Sequence, residues 1–164
     1  RRQYVVTVWS PPIALRGRVG AIRLKHGDAD IAVIGAYMPP QPLDRMQRRS
    51  YEKGVAAIIA WISSTIADLP PRCIPFIALD FNSNLGIDNG TLVDSPSLGQ
   101  YDRGECNLAG RLFIDMLDNH DLFVANSMKA VGPTYFGPTG HSSRIDFICC
   151  PLRLRHAIDR NTIQ

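Results

Sequence analysis

The chain has 164 residues, of which 45% are hydrophobic and 20% charged, as is ordinary for a globular protein able to bury a core. Its formal net charge of +3 is compatible with a phosphate-bearing partner but is smaller than a dedicated nucleic-acid-binding protein usually carries. No apolar run is long enough to cross a bilayer, and no low-complexity tract or signal-peptide pattern is recognisable, so we expect no membrane association.

Strand signals dominate the first 40 residues. Residues 4–9 are rich in β-branched and aromatic side chains, and residues 19–24 alternate weakly, so both are predicted strands. The turn signal His26-Gly27-Asp28 predicts a hairpin that joins the second strand to a third at Ala29–Tyr37. This third run is nearly all apolar, which predicts a central strand covered on both faces.

The clearest helical pattern follows. Its apolar residues repeat at helical spacing and form a single face: Tyr51, Val55, Ile58, Ile59, Ile62 and Ile66. The helix is predicted to start near Leu43-Asp44 and to end before Pro70. We expect its arginines, Arg45, Arg48 and Arg49, on a solvated face rather than in a phosphate-binding patch.

A strand at Ile74–Phe81 comes next, and the order strand, helix, strand is typical of a crossover in an α/β protein. Asp80 and Asn82 stand where this strand ends. Strand ends display reactive groups in layered α/β folds, but Asx residues there also cap the backbone in turns. The local pattern leaves both interpretations open.

The second half of the chain has shorter elements. Residues 84–105 are rich in Gly, Asp, Ser and Pro and are predicted to form a long loop. Asn107 is a plausible N-cap for a helix, followed by a short strand at 122–125. A loop at 132–138 with a brief extended piece precedes a last strand at 144–150. Asp146 lies inside that apolar run, an unfavourable position for a carboxylate without a partner.

Four cysteines are present, Cys73, Cys106, Cys149 and Cys150, and no pair has the spacing of a zinc site or redox motif. Adjacent Cys149 and Cys150 would point to opposite faces of a strand and could not easily bridge each other. We therefore expect buried, reduced thiols in an intracellular protein of the nucleus or cytoplasm. The oligomeric state is not indicated.

Taken in order, several motifs resemble the endonuclease/exonuclease/phosphatase superfamily, and most closely its endonucleases of the non-LTR retrotransposon type. The string Leu79-Asp80-Phe81-Asn82-Ser83 resembles its Gly-Asp-Phe-Asn signature, and Ala36-Tyr37-Met38-Pro39 resembles its Tyr-x-Pro strand end. Asn107-x-x-Gly110 with Asn126-Ser127 resembles its following helix and strand. Thr134-Tyr135-Phe136 and Ser143-Arg144-Ile145-Asp146-Phe147-Ile148 resemble its last two segments, and the likeness runs from about residue 18 to 151.

The resemblance implies an α/β four-layer sandwich, in which two packed mixed β-sheets are flanked by helices. It implies hydrolysis of a phosphodiester with Mg²⁺ or Mn²⁺, by a DNA endonuclease of retrotransposon or apurinic type. The implied catalytic residues are Tyr37, Asp80, Asn82 and Asp146, and the implied substrate-binding residues are Asn126, Tyr135 and Arg144. Asp80 is the implied metal ligand in this chain. We expect no catalytic role for His120, His141 or His156, which match no motif.

Two parts of the family's site have no match in this sequence. The first is an upstream pair of motifs, a strand-end Asn and the Glu that is the main metal ligand. The second is a closing Ser-Asp-His motif. We therefore expect residues 1–164 to be a single domain of this type, truncated at both termini and weak or inactive alone. Two alternatives stay open. One is a phosphatase acting on a phosphoinositide or other small phosphate ester, and the other is a degenerate remnant that keeps the fold without catalysis.

Overall fold

A computed structural model describes residues 4–101 and 103–160. Its helices are α1 (Arg45–Ala67), α2 (Leu108–Asn119) and α3 (Arg155–Arg160), and short 3-10 turns lie at Ile13–Leu15, Ala125–Ser127 and Leu152–Leu154. The strands are β1 (Val5–Trp9), β2 (Val19–His26), β3 (Ala29–Tyr37), β4 (Ile74–Asp80), β5 (Gly86–Asp88), β6 (Thr91–Leu92), β7 (Gly104–Glu105), β8 (Leu122–Val124), β9 (Tyr135–Phe136), β10 (Ser142–Ser143) and β11 (Asp146–Pro151).

A six-stranded mixed sheet in the order β1-β2-β3-β4-β11-β8 forms the centre of the fold. The predicted hairpin is confirmed, since β2 and β3 pair antiparallel across the turn at Gly27, where φ is +59°. The predicted crossover is also confirmed, because α1 joins the parallel neighbours β3 and β4. The ends of β3 and β4 therefore meet at one edge of the sheet.

Helix α1 covers one face of this sheet. Asp44 begins the helix by accepting a hydrogen bond from the Met46 backbone N–H at 2.8 Å, and the helix ends three residues before Pro70, as predicted. Val55, Ile58 and Ile62 are at most 2% exposed. They share a core with the alternate residues of β3 and β4, and α2 packs beside α1. Arg45, Arg48 and Arg49 are exposed, which agrees with a solvated face.

The opposite face of the sheet is open over the described residues. In β3 the buried and partly exposed residues alternate, and Gly35 and Tyr37 are exposed. The prediction that this strand is covered on both faces is therefore wrong for the part of the chain described here. A nearly continuous apolar run gave no sign of which face was covered, because Ile31 and Val33 are as apolar as the residues that pack against α1.

Two other boundaries differ from the prediction. Residues 84–105 are not only loop, because β5, β6 and β7 form a small three-stranded sheet. The last strand begins at Asp146 rather than Arg144, whose buried guanidinium donates hydrogen bonds to the carbonyls of Asn126 and Gly132. The strands of the small sheet are two or three residues long, too short for a periodic signal.

The predicted mixed α/β class is confirmed, with one large sheet, two small sheets and three helices in the described residues. All four cysteines are buried and unbridged, and burial raises the pKa of each thiol, that of Cys150 to about 11. Among the described helices, none combines the length and the apolar character that spanning a bilayer requires.

Candidate active site

Three of the predicted catalytic residues lie in one row across the sheet. Tyr37 at the end of β3 is the register partner of Asp80 in β4, and Asp80 is the register partner of Asp146 in β11. Directly opposed residues on neighbouring strands project from the same face. We call this set the edge row; it lies on the open face of the sheet, where Tyr37 is 41% exposed.

Asn82 joins the edge row through a tight turn after β4. Its backbone has a φ of +49°, in the left-handed region that Asn adopts more readily than most residues. Its backbone N–H donates to Asp80 Oδ1 at 3.2 Å, and its side-chain Nδ2 donates to the Met38 carbonyl at 2.9 Å. Both sequence interpretations therefore hold: Asp80 and Asn82 form an Asx-type turn, and the same turn displays their side chains at the sheet edge.

Electrostatics distinguish Asp80 from an ordinary surface carboxylate. Partial burial raises the pKa of Asp80 above its usual value, and the negative charge of Asp146 raises it further. The hydrogen bond from the Asn82 N–H acts in the opposite direction. Asp80 and Asp146 are directly opposed, and their negative charges repel each other. Binding of a proton or a cation at the edge row would reduce this repulsion.

Asn126 positions the strand that carries Asp146. Its Nδ2 donates to the Asp146 carbonyl at 2.9 Å, and its Oδ1 accepts from the Ile148 N–H at 3.0 Å. Both ends of the amide thus engage the backbone of β11. Arg144 donates to the Asn126 carbonyl and so holds the same region. The substrate-binding roles predicted for Asn126 and Arg144 stay predictions; the contacts described here are structural.

Tyr135 lies in a short hairpin beside the edge row. It pairs with Ser143, and its ring lies 5.6 Å from the ring of His141. Thr134 Oγ1 accepts from the backbone N–H groups of Ile145 and Asp146, each at 3.1 Å, which anchors this hairpin to the start of β11. Tyr135 is 40% exposed and therefore accessible to a ligand, and its role in substrate binding stays a prediction.

Sequence reasoning missed Arg18. Its guanidinium carbon lies 4.9 Å from the centroid of the Tyr37 ring, so the cation makes a cation–π contact with this member of the edge row. The Arg18 carbonyl also accepts a hydrogen bond from the Tyr37 N–H at 2.7 Å. The signal was present in the predicted hairpin: a two-residue turn at 27–28 pairs residue 19 with residue 36 and therefore brings residue 18 opposite residue 37.

A metal ion would find two carboxylates here. Mg²⁺ commonly binds through one or two carboxylates and keeps several of its waters, so Asp80 and Asp146 fit it. No group of three or more His, Cys, Asp or Glu side chains with metal-binding geometry occurs among the residues that the structure describes. Asp80 and Asp146 are therefore the residues of the edge row that could hold a divalent cation.

The large sheet is mixed, and helices pack on the face opposite the edge row. In its likeness to solved structures, the chain has the fold of endonuclease/exonuclease/phosphatase proteins. No family model matches the sequence, and no curated protein matches it. The likeness is therefore to solved structures.

Three solved structures share this fold. The 3′-5′ exonuclease NExo from Neisseria meningitidis is 16% identical, with a TM-score of 0.63, over 93% of this chain and 61% of that one. The endonuclease domain of TRAS1, a telomere-specific non-LTR retrotransposon, is 16% identical, with a TM-score of 0.50, over 88% of this chain and 55% of that one. A mannosyl-6-phosphatase from Bacteroides thetaiotaomicron is 14% identical, with a TM-score of 0.50, over 81% of this chain and 42% of that one.

The chain thus spans about three fifths or less of the length of these structures. At identities of 14–16% the likeness establishes the fold and not the substrate.

Proposed function

We propose that the edge row belongs to a phosphodiester-hydrolysing site, that its substrate is DNA, and that it works with Mg²⁺ or Mn²⁺ held through Asp80. The observation that carries this proposal is the register that brings Tyr37, Asp80 and Asp146 side by side, with Asn82 folded back onto Asp80. Phosphoryl transfer needs positioning and charge stabilisation more than covalent chemistry, and this row supplies groups for both.

Each residue has a distinct task in this proposal. The Asp80 carboxylate accepts a hydrogen bond from the attacking water and takes its proton. One Nδ2 hydrogen of Asn82 is used by Met38, which leaves its second N–H and its Oδ1 to hold a phosphate oxygen or the water. Tyr37 donates its phenolic hydrogen to a non-bridging phosphate oxygen. Asp146 adds the negative charge that keeps Asp80 a better base than an isolated carboxylate.

A bound divalent cation supplies charge neutralisation for the phosphate oxygens. A single carboxylate ligand holds a divalent cation weakly, so we expect slow turnover by residues 1–164 alone.

DNA is proposed over a small phosphate ester because two of the fold neighbours are described as an exonuclease and a retrotransposon endonuclease. The sequence motifs also resemble those of the retrotransposon type. The second candidate, a phosphatase of small phosphate esters, is favoured by one neighbour, the mannosyl-6-phosphatase. The two candidates share the edge row and differ in the bond that is cut.

Nicking of supercoiled plasmid DNA tests the proposal, because one cut per molecule is visible and slow turnover is sufficient. We expect Mg²⁺-dependent nicking that Asp80→Asn abolishes, since the amide cannot take a proton from water. The control is Asp28→Asn, which removes an exposed carboxylate from the hairpin turn at the other end of the sheet. Nicking that persists in Asp80→Asn would show that the activity comes from elsewhere.

The same proteins discriminate the alternatives. Release of inorganic phosphate from mannose 6-phosphate or a phosphoinositide, lost in Asp80→Asn but without any plasmid nicking, would establish the phosphatase. If neither substrate is hydrolysed in a way that depends on Asp80, the remaining alternative is a degenerate protein that keeps the fold without catalysis.

A further inference from the structure

A cavity of about 410 Å³ lies beside the edge row. It is open to solvent and is lined by the 3-10 turn before β2, by the proline segment that follows β3, and by the first half of α1. Arg18 lines this cavity and also makes the cation–π contact with Tyr37, so one side chain adjoins both sites. We call it the Arg18 cavity.

The polar lining of the Arg18 cavity is made of hydrogen-bond donors. Its polar side chains are those of Arg18, Gln47, Ser50 and Tyr51, and the remaining lining residues are apolar or lack a polar side chain. No lining residue is an aspartate or glutamate. A cavity with a permanent positive charge, two hydroxyls and an amide, and without a carboxylate, is chemically suited to an anion.

Arg18 has donor capacity that the described protein does not use. Its Nη1 is buried and has no hydrogen-bond partner among the described residues. A buried guanidinium nitrogen without a partner is costly, so a hydrogen-bond acceptor brought beside Arg18 would stabilise the folded protein. The cation–π contact with Tyr37 does not supply a hydrogen-bond acceptor to Nη1, which stays without a partner among the described residues.

Tyr51 is oriented to donate as well. Its hydroxyl oxygen accepts a hydrogen bond from Asn107 Nδ2 at 3.1 Å, and this leaves the hydroxyl proton available. Asn107 is itself held, since its Oδ1 caps the Gly110 N–H at 3.1 Å and its Nδ2 reaches Gln41 at 2.9 Å. The donor is therefore positioned before any ligand arrives, which lowers the entropic cost of binding.

We propose that the Arg18 cavity is a phosphate-binding subsite, in which Arg18 and Tyr51 donate to the oxygens of one phosphate group. The proposal rests on the proposed function in one respect: the group is taken to be a second phosphate of the substrate, next to the one at the edge row. The shared chemistry is a phosphate oxyanion, which DNA or a free phosphate can both supply.

The first arm of the test uses inorganic phosphate and needs no hydrolysis. Phosphate is titrated at constant ionic strength into ¹⁵N-labelled Asp80→Asn protein, and backbone amide shifts are followed. We expect saturable shifts around Arg18 and residues 47–54. Adding Arg18→Gln should weaken binding about tenfold. Arg18→Lys, which keeps the charge but not the planar fork, should give an intermediate affinity.

The matched control is Arg16→Gln. Arg16 is exposed, lies two residues away and does not line the cavity, so its replacement removes the same charge from the same region. Equal weakening by Arg16→Gln and Arg18→Gln would mean that phosphate responds to net charge, and this would overturn the proposal. Absence of saturable shifts in the Asp80→Asn protein would overturn it too.

The second arm identifies the source of the phosphate. A fluorescein-labelled DNA duplex is bound by the same proteins at several salt concentrations, and fluorescence anisotropy gives the affinity. If the cavity holds a DNA phosphate, Arg18→Gln lowers the slope of log affinity against log salt by about 0.9, and Arg16→Gln leaves it unchanged. A normal slope in Arg18→Gln, together with phosphate binding in the first arm, assigns the subsite to free phosphate or a small phosphate ester.

The two proposals fail separately. Phosphate binding that depends on Arg18, without Asp80-dependent hydrolysis, supports the subsite and removes the proposed function. Hydrolysis that depends on Asp80, without Arg18-dependent phosphate binding, does the reverse.

Discussion

At the scale of single residues, the edge row sets two carboxylates against each other. Asp80 and Asp146 are register partners, and partial burial adds to their repulsion in raising the pKa of Asp80. A raised pKa means that the folded state binds a proton more tightly than the unfolded state. The resulting contribution to stability is present at low pH and is lost as the pH rises through the pKa of the folded protein. The folded protein is thus less stable when Asp80 is ionised, which is the form that binds a cation.

Replacing one of these two carboxylates should change the pKa of the other. We predict that Asp146→Asn lowers the pKa of Asp80 by removing the repulsion, without returning it to the usual value, because burial is the larger cause and remains. Carbon-detected NMR titration of the Asp80 carboxyl group measures this shift directly and needs no activity. Asp28→Asn, far from the edge row, should leave the titration unchanged. An Asp80 pKa unaffected by Asp146→Asn would show that the two charges do not interact.

At the scale of elements, the start of α2 connects the two helices to the Arg18 cavity. Asn107 caps α2 through Gly110 and at the same time donates to Tyr51 in α1. Asp44 caps α1 by accepting a hydrogen bond from the Met46 backbone N–H, and it makes no hydrogen bond to Tyr51 among the contacts of the described residues. The two caps are therefore alike in their local role and differ in their effect on Tyr51.

We predict that Asn107→Ala and Asp44→Ala each lower the free energy of unfolding by about 1 kcal/mol, the usual effect of losing an N-cap. Only Asn107→Ala should also disturb Tyr51, visible as a change in the ring resonances of Tyr51 and as weaker phosphate binding. Urea unfolding followed by circular dichroism gives the first quantity. A Tyr51 ring that responds equally to both substitutions would contradict the link through Asn107.

These elements also show what sequence can predict. Both helix starts followed from an Asx cap before an apolar repeat, which is local information. The meeting of Tyr37 and Asp80 at one edge followed from the strand-helix-strand crossover, whereas their direct pairing is a finding of the structure. The pairing of Asp80 with Asp146 depends on an antiparallel register between strands 66 residues apart, which no local pattern encodes. The same holds for Arg144, whose guanidinium binds the carbonyl of Gly132.

At the scale of the whole molecule, the edge row is the polar end of a largely apolar sheet face. Val8 pairs with Ile22, Ile22 with Val33, and Val33 with Phe76, so one apolar row crosses four strands. Ile148 extends the same face beside Ala78 and is 52% exposed. Alternation then brings Tyr37, Asp80 and Asp146 onto this face at its end. The candidate site and the open face are thus parts of one surface.

Such a surface should make the chain self-associate. Soluble monomers rarely expose contiguous apolar patches larger than a few hundred Å². We predict concentration-dependent association in sedimentation velocity and strong binding of the dye ANS, both reduced by the pair Ile22→Lys and Ile148→Lys, which charges the open face. The control pair Ile13→Lys and Leu43→Lys adds the same charge at exposed apolar residues away from the sheet. If both pairs reduce association equally, net charge rather than the sheet face governs it; if only the first pair does, the open face is the surface through which the chain associates.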